Sequence, residues 1–156
     1  MIWRSVPRDY FRSNVRAFTA WALFQLGRSD EASATIEETL KEDPEDTRGT
    51  LASMQALLLA ASGKHRQAED KIQSAAEKKG FGPSHHTAYF IASAYARMNK
   101  ADLAVKWLKE AADTGFPCYP LFEHDSNLDL IRKDPAFNAF MAKMKAQWEH
   151  HKATVL

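Results

Sequence analysis

Six histidines, one cysteine and several carboxylate pairs are the side chains of this sequence that could do chemistry. Four of the histidines form two adjacent pairs, His85-His86 and His150-His151. Adjacent side chains on a helix point about 100 degrees apart, so neither pair is suited to chelating one metal ion. We interpret both pairs as polar surface near helix ends, and we predict no metal site.

The acidic pairs Glu37-Glu38, Glu42-Asp43 and Glu45-Asp46 lie on a predicted polar helix face and the loop after it, where solvation explains them. The sequence contains no glycine-rich phosphate loop, no nucleophile elbow and no His-Glu-x-x-His run. Cys118 is the single cysteine, which excludes an intrachain disulfide and a zinc-binding thiolate cluster. We expect a buried or half-buried thiol there. These residues favour a protein that is not an enzyme and has no cofactor.

Composition and charge fit one soluble domain. The chain has 156 residues, of which 45% are hydrophobic, and its 21 Lys+Arg and 20 Asp+Glu residues give a net charge of +1. Without a basic field, nucleic acid is a poor partner. The longest apolar stretch, Ala56 to Ala61, is far shorter than the roughly 18 residues that cross a bilayer. No secretion signal is visible, so no membrane partner and a cytoplasmic location are predicted.

Three related segments recur at a spacing of 36 residues, and they predict the elements that position these side chains. The segments begin Gly27-Arg28-Ser29, Gly63-Lys64-His65 and Asn99-Lys100-Ala101. Apolar and small residues follow each start at helical spacing, and a helical stretch of about four turns precedes each one. Each unit is therefore predicted to be a helical hairpin.

The residue types at the turns and contacts support this prediction. Gly27, Gly63 and Asn99 end the first helix of each hairpin, where the backbone must become left-handed. Small residues lie where the paired helices approach each other most closely, because larger ones would separate them. They are Ala20 with Ala32, Ala56 with Ala68, and Ala92 with Ala104.

The sequence from about residue 13 to 116 resembles the tetratricopeptide repeat family, whose unit is a helix-turn-helix of about 34 residues. The resemblance implies an all-α fold, a right-handed αα-superhelix of three hairpins, with units at 13–46, 49–82 and 85–118. Pro44 ends the first unit, and Gly80, Gly82 and Pro83 end the second. Thr39 and Asn99 depart from the family's usual alanine and glycine. A generic helical bundle is the alternative fold.

Both ends of the stack are predicted to be capped. Residues 1–12 form an N-terminal extension of the first helix, whose apolar residues either pack back on the stack or form a patch that dimerises or joins an upstream domain. These are Ile2, Trp3, Val6, Tyr10 and Phe11. Residues 119–156 form short helices and a capping helix that starts at Asp134-Pro135. Its apolar stripe consists of Phe137, Phe140, Met141, Met144 and Trp148.

The stretch from Asn127 to Phe137 resembles a tail that follows such repeats in bacterial multidomain proteins. In those proteins the repeats accompany a serine/threonine kinase, a nucleotide cyclase or a DNA-binding regulator. This resemblance implies that the chain is a regulatory part of a larger bacterial protein.

The family also implies a concave groove lined by the first helices of the units. The corresponding positions are mostly uncharged and aromatic, which suits a peptide with apolar anchors. They are Asn14, Phe18, Trp21, Gln25, Thr50, Ser53, Met54, Leu57, His86, Tyr89, Phe90, Ser93 and Arg97. The alternative is that these rings fill the core. Family members that bind the C-terminal carboxylate of a chaperone use lysine, arginine and asparagine side chains for this contact. The corresponding positions of this chain are Ala17, Trp21, Met54, His86 and Phe90, so binding of a chaperone C-terminus is disfavoured.

Two functions follow as predictions. The first is a scaffold or adaptor that binds a protein or peptide segment in its groove. The second is self-association, in which exposed ends or the groove pair two copies into a homodimer.

Overall fold

The described part of the protein consists of helices. The structure is a computed structural model that describes residues 8–78 and 84–155, and all regular secondary structure within these ranges is helical. The predicted all-α class is therefore confirmed. The helices are α1 (Arg8–Gln25), α2 (Ser29–Glu42), α3 (Thr50–Ala61), α4 (His65–Glu77), α5 (His85–Arg97), α6 (Ala101–Asp113), α7 (Tyr119–His124), a 3-10 helix (Ser126–Ile131) and α8 (Pro135–Val155).

Three hairpins share one turn geometry. Gly27, Gly63 and Asn99 have φ values of 75°, 77° and 56°, which confirms the predicted left-handed turns. The amide after each of these residues donates to a carbonyl five residues earlier, as Arg28 N does to Leu23 O at 2.9 Å. This pattern satisfies helix-end carbonyls that would otherwise lack a donor.

Small side chains at the helix crossings allow the paired helices to pack closely. All six predicted alanines have an exposed fraction of 0%: Ala20, Ala32, Ala56, Ala68, Ala92 and Ala104. Helix α3 lies between α1 and α5 and packs against α2 and α4 as well. Consequently almost every side chain of α3 is buried, including Leu51, Met54 and Leu57.

The joint between the first two hairpins is built from polar caps and one glycine. The buried carboxylate of Asp46 accepts hydrogen bonds from Leu51 N at 3.1 Å and Ala52 N at 2.9 Å, so it caps the start of α3. Gly49 has a φ of 69°, and a Cβ there would lie 2.6 Å from Ala75 O of α4. The joint therefore requires a residue without a side chain.

The C-terminal part closes the stack. Asp134 Oδ1 accepts a hydrogen bond from Ala136 N at 2.8 Å, as expected for the residue that caps α8. Phe137, Phe140 and Met144 are buried, with Met141 and Trp148 partly buried against the core, so the predicted stripe is confirmed. Helix α8 packs on α6 and α7. Cys118 is half-buried and free, as expected.

Some predictions fall outside the described residues. These concern Ile2, Trp3, Val6 and the side chain of Tyr10 in the N-terminal extension, and Gly80, Gly82 and Pro83 at the end of the second unit. The division of the chain into units and end segments stays a prediction. Within the described ranges, none of the helices combines the length and hydropathy that crossing a membrane requires.

Candidate functional site

The structure places much of the predicted groove in the interior. Seven of the thirteen predicted residues are buried, so their side chains are not accessible to a ligand in this conformation. They are Thr50, Ser53, Met54, Leu57, Tyr89, Phe90 and Ser93. Of the remaining six, Gln25 is exposed, and five are partly exposed: Asn14, Phe18, Trp21, His86 and Arg97.

Aromatic contacts between α1 and α5 close part of the groove. The ring centroid of Phe18 lies 5.4 Å from that of Phe90, and the Trp21 centroid lies 6.4 Å from that of Tyr89. Both distances are within the range of favourable aromatic pairs. The alternative that some of these rings fill the core therefore describes Tyr89 and Phe90 correctly.

A segment near the C-terminus covers another part of the groove. The 3-10 helix packs on α5, and Asp125, just before it, is buried. Asp125 accepts hydrogen bonds from the Tyr89 hydroxyl at 2.5 Å and from Gln25 Nε2 at 3.2 Å. Burial, reinforced by the negative charge of Asp125, raises the pKa of Tyr89, so the hydroxyl keeps the proton it donates. The far end of the predicted groove is therefore occupied by the chain itself.

The same segment is held from its other side by Arg132. Its Nη2 donates to Asp125 O at 2.8 Å, and its Nε donates to Asp129 Oδ1 at 2.7 Å. Asp125 also accepts from Asn127 N at 3.0 Å. With Phe122 and Leu128 fully buried, this segment is an integral part of the fold and not a loosely bound tail.

An open cleft remains where α1 faces the start of α5. We call it the α1–α5 cleft, and its volume is about 600 Å³. It includes three residues of the predicted groove, Asn14, Phe18 and His86, and it adds six that were not among the predicted groove residues. The added residues are Phe11, Val15, Thr19, Ala22, Arg48 and His85.

The α1 wall of this cleft is apolar although it faces solvent. Val15 is 62% exposed, and Phe11 is 51% exposed. Leu26, which continues the same side of α1, is 71% exposed. A solvent-facing helix side normally carries charged and polar residues, so this composition marks the α1 wall as a candidate contact surface. The sequence itself indicates this apolar face, because its apolar residues recur every three or four positions. They are Phe11, Val15, Phe18, Ala22 and Leu26.

The opposite wall contributes histidine rings that are packed in place. The ring centroids of Phe18 and His86 lie 4.7 Å apart in an edge-to-face arrangement, and those of His85 and His86 lie 4.2 Å apart. Burial lowers the pKa of His86 to about 4, and the charges of His85 and Arg48 act in the same direction. His86 is therefore neutral at physiological pH, and Arg48 supplies the positive charge beside it.

Other parts of the described chain offer little for chemistry. Among the described residues, no three His, Cys, Asp or Glu side chains lie close enough together to hold a metal ion. A cavity of about 450 Å³ lies between α4 and α6 and is bordered by Lys106 and Trp107. It is also bordered by Lys78 and Ser84, which flank residues that the structure does not describe, so no site is assigned to it.

Comparison with known proteins supplies the family. The tetratricopeptide repeat family model matches residues 53–119, from the first turn of α3 through α6. Comparisons with curated proteins and with solved structures give no significant match. Tetratricopeptide repeats form non-catalytic scaffolds that generally mediate protein–protein interaction. The resemblance drawn from the 36-residue spacing is thereby confirmed for residues 53–119, the segment of this chain that matches the tetratricopeptide repeat family.

Proposed function

We propose that this protein is a non-catalytic interaction module that binds an apolar segment of a protein partner in the α1–α5 cleft. The observation that carries the proposal is the exposed apolar wall of α1, formed by Val15 and Ala22 with Phe11 beside them. The binding position differs from the groove that the family implies, because α5 and the segment around Asp125 fill much of that groove.

The cleft offers anchors that are already ordered. Phe18 is held by its contacts with His86 and Phe90, so its ring can meet a ligand without losing much conformational freedom. Of the predicted groove residues, Asn14, Phe18 and His86 remain proposed contact residues. Trp21, Gln25 and Arg97 lie farther along α1 and α5, where Gln25 already donates to Asp125.

The chemistry of the cleft defines the kind of ligand. Arg48 brings one positive charge to the lining of the cleft, whereas Val15, Ala22 and the neutral His86 make most of the surface around it uncharged. An apolar face of a helix or a short segment with apolar side chains at helical spacing fits this surface, as in other helix-in-groove complexes. A role for this module as a regulatory part of a larger bacterial protein belongs to the same proposal and is supported only by the tail motif from Asn127 to Phe137.

Peptide selection tests the proposal. A random peptide display library is panned against the immobilised protein, and the enriched peptides are then measured against Val15→Glu. A buried carboxylate in the contact should weaken their binding by at least about 30-fold, equivalent to about 2 kcal/mol. Leu103→Glu is the matched control, because Leu103 is an exposed leucine on α6 that lies outside the cleft.

Circular dichroism checks that both variants keep the helical content of the parent protein. Loss of binding by Val15→Glu alone supports the cleft as the binding site. Equal binding by the parent protein and Val15→Glu, or a selection that enriches no peptide, would contradict the proposal.

A further inference from the structure

The apolar face of α1 is nearly symmetric about its own middle. Along the helix it presents Phe11, Val15, Phe18, Ala22 and Leu26. If a second copy of this face is laid against it in the antiparallel direction, Phe11 meets Leu26 and Val15 meets Ala22. A two-fold axis then passes between Phe18 and Thr19. A surface that complements itself in this way is what a two-fold symmetric dimer requires.

Charge favours the antiparallel direction. Arg12 and Arg16 lie in the first half of α1, and the exposed residues Asp30 and Glu31 follow its C-terminal end at the start of α2. Antiparallel pairing separates the arginines of the two copies, while Glu31 stays paired with Arg28 of its own chain. Parallel pairing would place Arg12 beside Arg12 and Arg16 beside Arg16, where like charges repel each other.

Arg48 lines the cleft and brings a charge to the contact, whereas two other polar groups there are already paired within their own chain. Arg12, at its edge, is held in its own chain by Glu42, with Nη2 and Oε2 2.7 Å apart. Thr19 donates its hydroxyl to Val15 O at 2.8 Å, so this polar group is satisfied within α1 when the face is covered. Pairing two copies therefore leaves neither of these polar groups without a partner.

From these features we infer that the occupant of the α1–α5 cleft is α1 of a second copy of this chain, bound antiparallel about a two-fold axis near Phe18 and Thr19. The inference rests on the proposed function, because it names the partner for the same cleft.

The expected contact is small for a protein dimer. A helix of 18 residues is about 27 Å long and about 10 Å wide. Such a contact is smaller than the roughly 800 Å² per partner of a standard stable interface. His85 and His86 on the other wall of the cleft enlarge it. We therefore expect a dimer with a dissociation constant on the order of micromolar.

Site-specific cross-linking tests both the partner and its direction. In a Cys118→Ser background, Val15→Cys and Ala22→Cys are prepared separately, and each is oxidised alone and as an equal mixture. In the antiparallel dimer the two Val15 positions are about 10 Å apart along the axis, whereas Val15 faces Ala22. The mixture should therefore form a disulfide-linked dimer, while neither variant alone should do so. Leu103→Cys, mixed with either variant, is the matched control and should form none.

Each other result overturns the inference. Cross-linking of each variant alone would indicate a parallel pair. The absence of cross-links, together with a monomeric mass in light scattering up to about 200 µM, would exclude a second copy as the occupant. In that case, peptides that lose affinity for Val15→Glu but not for Leu103→Glu would still support the proposed function with a different partner. If neither the cross-link nor the loss of peptide affinity by Val15→Glu is observed, the α1–α5 cleft is not a binding site.

Discussion

His86 shows how the surroundings of a single side chain prepare a surface for binding. It lies between Phe18 and His85, and burial together with the charges of His85 and Arg48 lowers its pKa to about 4 from an ordinary value of 6.5. In the unfolded chain the same ring titrates near its ordinary value. The folded and unfolded states therefore bind different numbers of protons on this ring between these two pH values.

This difference predicts how stability depends on pH. Above about pH 6.5 the ring is neutral in both states, and its full contribution to stability is present. As pH falls from about 6.5 to about 4, the unfolded state takes up a proton that the folded state excludes, so the free energy of unfolding decreases. His86→Gln should remove this part of the decrease. Urea titrations at several pH values check it, and parallel pH profiles for the two proteins would contradict it.

At the residue scale, some roles are readable in the sequence and others are not. The left-handed turns at Gly27, Gly63 and Asn99 were predictable, because glycine and asparagine tolerate that backbone best and recur at the same position of each unit. The burial of Tyr89 was not, since an aromatic residue at helical spacing can face either a groove or the core. Only the contact with Asp125, 36 residues away in sequence, decides between them.

At the scale of helices, the joint between hairpins depends on Gly49. Its φ of 69° is unfavourable for residues with a side chain, and a Cβ would lie 2.6 Å from Ala75 O in α4. Gly63 has a similar φ of 77°, but a Cβ added there would meet no atom within 4 Å. Substitutions at these two glycines therefore distinguish the cost of backbone strain alone from the cost of strain combined with a clash between helices.

We expect Gly49→Ala to lower the free energy of unfolding by about 3 kcal/mol, because it combines strain with a clash against backbone. Gly63→Ala, the matched control, should cost about 1 kcal/mol, from strain alone. Urea denaturation of both variants measures the difference. Equal losses would show that α4 moves to accommodate the added methyl group and that the joint is not tightly packed.

Helix positions were more predictable than the contacts between distant elements. The alternation of apolar and small residues indicated the three hairpins, and Asp134-Pro135 indicated the start of α8. The return of the segment around Asp125 onto α5 had no local signal, because Gln25, Tyr89 and Asp125 are far apart in the chain. Their hydrogen bonds depend on how the whole stack brings these elements together.

At the scale of the whole molecule, the described residues cover the stack at its C-terminal end and leave apolar side chains exposed on α1. The C-terminal segment and α8 cover α5 and α6, and the side chains of Phe122 and Phe140 are buried there. Helix α1, at the other end, keeps Val15 and Leu26 exposed. Among the described residues, Phe11, Val15 and Leu26 along α1 form the group of exposed large apolar side chains on one helix face, whereas Leu103 and Leu130 are exposed singly.

Methyl NMR tests the proposed binding along α1 most directly, because it observes both candidate surfaces in one experiment. A peptide selected on the protein is titrated into a sample with labelled alanine, valine, leucine and methionine methyl groups. We predict that the signals of Val15, Ala22 and Leu26 along α1 shift with peptide concentration while those of the buried groove residues Met54 and Leu57 stay in place. Shifts at Met54 and Leu57 with none along α1 would contradict this prediction and would place binding in the groove between the hairpins.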